Sequence, residues 1–308
     1  DLYGLIEFGS DTLAKVSLLP SDVIIDHDIW KIEEKVRLKF EEKRTIIEGF
    51  ELSNKNQLIA INGAVSSSKD DLLEIVAENF KLSSLSQLTK GFGVDIEGTM
   101  NGSAHLSAIL GTPNIESELT VDSLRYNKTQ IGFLDLSSAY DNEANNVIVN
   151  ATIHKNNKKT ADVNGVIDFK SKTDNLDLNL LLNQTELIIF EPFVSLLVSD
   201  LKGNVSSDLK ILGKFNKPEI NGELILSNAG VTVNYLKTPY LINDKVSVQG
   251  SIITLNNLII KDKFNNQATA TGTINLNNLE NPEINVIINA VNFMALNTTA
   301  KDNPSYYG

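Results

Sequence analysis

A pattern that recurs at a fixed spacing constrains this chain more than any single residue does. From Leu201 to Gly230 an alternation of apolar and polar residues is punctuated by Gly203 and Pro218, and from Ile96 to Val121 the same alternation is punctuated by Gly98 and Pro113. Each pair stands 105 residues apart. Asn62-Gly63, Asn164-Gly165 and Thr271-Gly272 give a third marker, spaced by 102 and then 107 residues, and each is read as closing one alternating run and opening the next. A fixed period of this kind means one structural module used repeatedly. The expectation is one continuous repeat body over residues 1–308, with approximate repeats 1–97, 98–202 and 203–308.

Period two dominates within each repeat, which is the signature of strands with one dry face. Val147, Val149, Ala151 and Ile153 form one such set, and Val163 and Ile167 belong to the next. Leu176, Leu178, Leu180 and Leu182 follow, then Leu224 and Leu226, Val246 and Val248, Ile274 and Leu276, and Ile284, Val286 and Ile288. Between them stand Asn145-Asn146, Asn156-Asn157, Asn265-Asn266 and Asn277-Asn278, and Asn tolerates the positive φ of tight hairpin turns. Once per repeat the pattern changes to an apolar spacing near three: Leu82 to Leu88, Phe190 to Leu197 with Pro192, and Asn292 to Leu296. These segments are expected to be one or two helical turns. The fold class is therefore all-β: an elongated, repeating antiparallel sheet with short helical turns.

Composition excludes several functions. Lys and Arg number 27 against 39 Asp and Glu, a net charge of −12, and no basic run offers the clustered positive charge that nucleic acid requires. No run of about 20 apolar residues could cross a bilayer as a helix. The absence of cysteine removes disulfides and thiolate metal sites. His27, His105 and His154 have no metal-ligand spacing, and Asp26 with Asp28 lacks the glycine and distal glutamate of a calcium loop. Gly91-Phe92-Gly93 lacks the third glycine of a dinucleotide fingerprint. No nucleophile elbow or acid–base pair stands out, so neither an enzyme nor a cofactor is expected. With Asp1 at its start and no signal pattern, the sequence reads as a piece of a longer protein.

An antiparallel sheet with one apolar face must cover it with a second layer or close on itself, and this chain supplies no long amphipathic helix. Gly165, Gly272, Ala268 and Ala270 would let the sheet curl, so that the dry face lines a trough or tube. Taken alone, the alternation is read more readily as the solid core of a closed sandwich or solenoid.

Several runs resemble a known family. They are Leu19-Pro20-Ser21 to Trp30; Gly-x-x-x-x-Pro-x-Ile-x-Gly-x-Leu-x-Leu from Gly213 to Leu226; Asn228 to Val231 with Thr238-Pro239-Tyr240; Asp262 to Gly272; and Asp302 to Gly308. Together they are similar to the TamB family of diderm bacteria, within the AsmA-like, bridge-like group. The resemblance implies a periplasmic β-taco whose apolar groove binds phospholipid acyl chains and carries them toward the outer membrane. It also implies an inner-membrane anchor and an Omp85-type, TamA-like outer-membrane partner, both engaged through regions outside this sequence. The nineteen alternating residues from Val147 to Ile288 named above would then line the groove. The competing reading is a structural β-repeat, a surface stalk with a solid core.

Overall fold

The computed structural model describes residues 2–9, 13–25, 27–86, 95–277, 281–302 and 307–308. These contain 21 strands, in two compact units: Asp1–Lys158 with Asn164–Asn175, and Lys159–Val163 with Leu176–Gly308. All the ladders within each unit are antiparallel. The first unit begins with β1 (Gly4–Glu7), β2 (Ala14–Leu18), the hairpin β3 (Ser21–Ile25) and β4 (Asp28–Ile32), and β5 (Val36–Phe40). It continues through β6 (Arg44–Asn54), β7 (Gln57–Ser66), β8 (Leu72–Lys81), β9 (Ile96–Ser107), β10 (Asn114–Tyr126), β11 (Thr129–Asp141) and β12 (Asn146–Lys155). Each of these strands pairs with the next, except that β2 pairs directly with β5 and the β3–β4 hairpin branches off. That hairpin meets the tip of β6, where Lys31 faces Ser53 and the Asn54 side-chain amide donates to the Ile29 carbonyl at 2.7 Å.

β13 (Lys158–Ile167) is divided between the units. The second unit then runs through β14 (Leu176–Glu186), β15 (Val198–Lys214), β16 (Lys217–Val233), β17 (Thr238–Ile242), β18 (Lys245–Gly250), β19 (Ile252–Lys261), β20 (Gln267–Asn275) and β21 (Glu283–Ala290). Both β17 and β18 pair with β16 on one side and β19 on the other, so they act as one strand broken at Asn243-Asp244. Asparagine sets several turns as the sequence implies: Asn145, Asn156, Asn157 and Asn265 have φ of 56°, 52°, 60° and 67°.

A recurring bulge bends the strands. Register slips between Ile47 and Phe50, Ala77 and Phe80, Val121 and Leu124, Leu182 and Thr185, and Leu255 and Leu258. Each slip contains a residue of positive φ, respectively Gly49, Asn79, Ser123, Gln184 and Asn257. A bulge removes one amide from the ladder and sharpens the local twist. In four of the five, a side chain from a neighbouring strand takes that amide: Gly49 N–H donates to Asn62 Oδ1 at 2.7 Å and Asn79 N–H to Asn101 Oδ1 at 2.7 Å. Gln184 N–H donates to Ser206 Oγ at 3.0 Å and Asn257 N–H to Thr271 Oγ1 at 3.3 Å.

Two of the three Asn-Gly and Thr-Gly markers are thereby explained, and the reading of all three as run boundaries is corrected. Asn62-Gly63 lies inside β7, Asn164-Gly165 inside β13 and Thr271-Gly272 inside β20. Asn62 and Thr271 cap a neighbouring bulge, while Gly63 and Gly272, at φ 120° and 144°, sit where a Cβ would strike the carbonyls of Leu72 and Asn285. A glycine that interrupts an alternating run here marks close approach of two strands.

Of the three expected helical turns, two form: a 3-10 turn at Leu82–Leu85, and a 3-10 turn at Leu187–Phe190 leading into a single α-turn at Glu191–Val194 with Pro192 in its first turn. The third, residues 292–296, is not helical. Its amides are taken by other elements, with Met294 N–H bound to Asp262 Oδ2 at 2.9 Å and the following Asn297 N–H to the Leu236 carbonyl at 3.0 Å. Asp26, Leu88, Gly91-Phe92-Gly93, Asn278 and residues 303–306 lie outside the described residues.

Candidate functional site

Residues directly opposite in an antiparallel pair point to the same face, so the registers can be followed from strand to strand. In the first unit one such row runs Leu52, Ile59, Ala77, Gly102, Leu119, Leu136, Ala151, from β6 to β12. Beside it run Phe80, Met100, Val121, Leu134, Ile153 and, on the other side, Phe50, Ile61, Ile75, Ala104, Ser117, Ser138, Val149. In the second unit a row runs Leu180, Leu209, Gly222, Val248, Ile253, Ile274, Ile284, from β14 to β21. Its neighbours are Leu182, Ser207, Leu224, Val246 and Leu178, Ile211, Ile220, Gly250. None of these residues carries a charge. Strand-borne ion pairs such as Lys39–Glu48 at 2.7 Å and Lys245–Glu223 at 3.1 Å lie on the opposite face.

Cover is uneven along these rows: Ala77, Phe80, Val121, Leu182, Leu209 and Val246 are buried, whereas many other members are not. Leu52, Ile59, Leu119, Leu134, Leu136, Val149, Ala151 and Ile153 are half-buried, as are Leu176, Leu178, Leu180, Leu224, Leu226, Val248, Ile253, Ile274 and Leu276. Side chains in a packed core would be lost to solvent, and those on a flat open sheet would be freely exposed. Strands bent at bulges around an apolar concavity account for the intermediate value.

Each unit also has a stretch where the rows are covered. In the first, Trp30 from β4 lies over the floor against Ala77 and Phe80, with Leu52, Ile59 and Met100 around it; Trp30 is 1% exposed, and its ring centre is 5.8 Å from that of Phe80. Its indole N–H has no acceptor. In the second, residues 291–302 lie over β17 to β20. Phe293 packs on the buried cluster of Val246, Leu255, Leu258, Ile260, Ala268 and Ala270, and stacks on Tyr240 at 5.5 Å. Burial pushes the Tyr240 hydroxyl pKa up, against a lowering contact with Thr238. The Asp262 carboxylate is raised by burial, but hydrogen bonds from Asn266, Met294 and Phe264 outweigh this and hold it below its ordinary value.

The sequence-derived residues have unequal cover, and among the described residues no strand register places Val163 and Ile167 of β13 on a given face. Val147, Leu182 and Val246 are buried; Val163, Ile167 and Val286 are half-buried; Ile284 and Ile288, on β21, are exposed at 66% and 47%. Sequence reasoning missed Leu52, Ile59, Leu119, Leu134, Leu136, Leu209 and Ile253, although the same alternation was present in their strands. It also missed the serines on the floor: Ser117 and Ser138 share a hydrogen bond of 2.8 Å, and the buried Ser207 hydroxyl has no partner. Among the described residues no group of three or more His, Asp or Glu side chains could hold a metal ion, and no helix is long and apolar enough to cross a membrane.

The family model described as TamB, N-terminal domain, matches residues 30–226, more than half of the sequence. The chain belongs to the TamB family. TamB proteins belong to the cell envelope of diderm bacteria and take part in outer-membrane assembly. Comparison with curated proteins and with solved structures finds no match.

Proposed function

We propose that this chain is a non-enzymatic lipid conduit of the periplasm, whose apolar floor carries phospholipid acyl chains between the inner and outer membranes. The observation that supports this most is the uncharged row that crosses seven strands in each unit, Leu52 to Ala151 and Leu180 to Ile284, most of whose members are half-buried. Seven strands at about 4.8 Å spacing give roughly 29 Å of apolar path, whereas one acyl chain reaches about half of a ~30 Å bilayer core. At about 0.8 kcal/mol per buried methylene, a sixteen-carbon chain resting one side on such a floor gains on the order of 6 kcal/mol. That favours loading yet permits movement. The three approximate repeats 1–97, 98–202 and 203–308 belong to the same reading, each contributing a length of floor lined by residues such as Ile59, Val149 and Val248.

Family membership supports an Omp85-type partner at the outer membrane and an anchor in the inner membrane, both reached through parts of the protein beyond this sequence. A solid stalk is the alternative, and half-burial of the rows counts against it. Mass spectrometry of organic extracts of the purified chain tests the proposal. Phospholipid at about one molecule or more per chain is the expected result; no lipid above that carried by an unrelated β-protein prepared in parallel contradicts it.

A further inference from the structure

The floor of the second unit is unevenly covered. Leu176, Leu178 and Leu180 on β14 are half-buried and Ile284 and Ile288 on β21 are exposed, whereas Leu258, Ile260 and Ala270 between them are each less than 9% exposed. Over this middle stretch packs Phe293, from residues 291–302. This strap has no regular secondary structure, and its hold on the sheet is made of a few separate contacts. Phe293 supplies the apolar contact, stacked parallel to Tyr240, whose hydroxyl donates to the Ala295 carbonyl at 3.2 Å. Asp262 accepts from Met294 N–H at 2.9 Å, and the Asn297 side-chain amide donates to the Lys237 carbonyl at 3.2 Å. At the far end Lys237 and Asp302 form an ion pair, and Asp302 also accepts from the backbone and hydroxyl of Thr299 at 2.8 and 2.7 Å.

We propose that the 291–302 strap is a displaceable plug that occupies the acyl path over β17 to β20, so that Phe293 and an acyl chain compete for the same floor. Three features carry this. The surface beneath the strap is the same apolar face, by register, as the open floor upstream: Leu224 stands opposite Val246, and Ile253 opposite Ile274. The strap inserts one large apolar side chain, a modest contact for an incoming acyl chain to replace. The latch at its end is a solvent-exposed ion pair, with Lys237 54% exposed, and such pairs contribute little to stability. When the competent state is populated only in part, apparent affinity falls by that fraction, so loosening the latch raises local occupancy.

This inference rests on the conduit reading, and the test separates the two. The photoreactive residue p-benzoylphenylalanine is placed in the 308-residue chain either at Leu178, on the open floor, or at Ile242, which packs against the cluster beneath Phe293 without itself holding the strap. Each chain is incubated with phosphatidylethanolamine vesicles bearing radiolabelled sixteen-carbon acyl chains, and lipid cross-linking is counted. The conduit reading requires labelling at position 178 in the otherwise unaltered chain. The plug predicts that Phe293→Ala raises labelling at position 242 by about tenfold, and that Asp302→Asn, which removes only an exposed ion pair, raises it about threefold, while position 178 is unchanged. Circular dichroism melts confirm which variants are folded. Labelling at 242 that stays at the parent level in both variants, with 178 labelled, overturns the plug and leaves the conduit standing. No labelling at either position in any chain overturns both.

Discussion

The backbone N–H of Asn79 donates to the side-chain oxygen of Asn101 at 2.7 Å, and the residue that follows Asn101 is Gly102, at φ 130°, where a Cβ would run into the Glu118 carbonyl. One strand supplies both the cap for its neighbour's bulge and the gap that lets the strand on its other side come close. Asn62-Gly63 and Thr271-Gly272 repeat this arrangement, so bending is written into the sheet at recurring positions. Asn101→Ala is expected to cost about 1 kcal/mol, because the freed amide is exposed and water can take it, whereas Asn101→Asp retains an acceptor and costs less. Urea denaturation of the three chains measures the order.

Gly102→Ala is a sharper test of the same geometry. An L-residue held at this φ costs on the order of 1–3 kcal/mol in backbone strain alone, before the collision with Glu118 is added. Gly111→Ala is the control, because a Cβ there meets nothing nearer than 3.4 Å and the backbone is not left-handed. The melting temperature is expected to fall markedly for the first and little for the second.

The β3–β4 hairpin places its largest buried side chain, Trp30, over the floor. Trp30→Ala is expected to destabilise the first unit by about 3–5 kcal/mol, since it empties the space beside Phe80 and Ala77. Trp30→Phe is expected to cost far less, because it keeps an aromatic ring and removes a buried indole N–H that has no acceptor. Circular dichroism melts read both, as the only tryptophan is lost in each.

The latch on the 291–302 strap has a defined pH range. The Lys237 ammonium beside Asp302, together with the Thr299 hydroxyl and amide, lowers the Asp302 carboxyl from an ordinary 3.8 to about 2. A carboxyl depressed in the folded state contributes stability that is present in full above its unfolded pKa and lost as pH falls through the folded value. The strap should therefore stay latched from pH 8 down to about 5 and loosen only below about 4. Amide exchange at Thr299 and Asn297, followed by NMR across that range, shows whether it does. Loosening between pH 8 and 5 would contradict the assignment of the latch to this pair.

The alternation of Val147, Val149, Ala151 and Ile153, and of Leu176 to Leu182, is enough to identify β12 and β14 and the faces they present, because period two follows directly from strand geometry. Asparagine turns were equally legible. Three things were not. Gly63 and Gly272 look locally like breaks, since what demands them is the approach of another strand distant in sequence. Residues 292–296 have a helix-compatible spacing, but Asp262 and Leu236 claim the amides of Met294 and Asn297. Trp30 gives no local sign that it crosses the floor, because its partners Ala77, Phe80 and Met100 lie about 50 to 70 residues away.

The most direct test of the conduit compares adjacent residues on β11 that point to opposite faces. Leu136 lies on the half-buried row between Leu119 and Ala151, and Asp135 faces outward between Thr120 and Thr152. Over an open floor an arginine can extend toward water, so Leu136→Arg should melt within a few degrees of the parent, whereas in a solid core it would bury an unpaired charge. The measurement is phospholipid retained by the purified chain, counted by mass spectrometry alongside the melt, for Leu136→Arg and for the control Asp135→Arg. A folded Leu136→Arg chain that has lost most of its lipid, with the control near the parent level, is the predicted result. A folded Leu136→Arg chain that retains the parent's lipid, or one that unfolds outright while Asp135→Arg does not, would contradict the account.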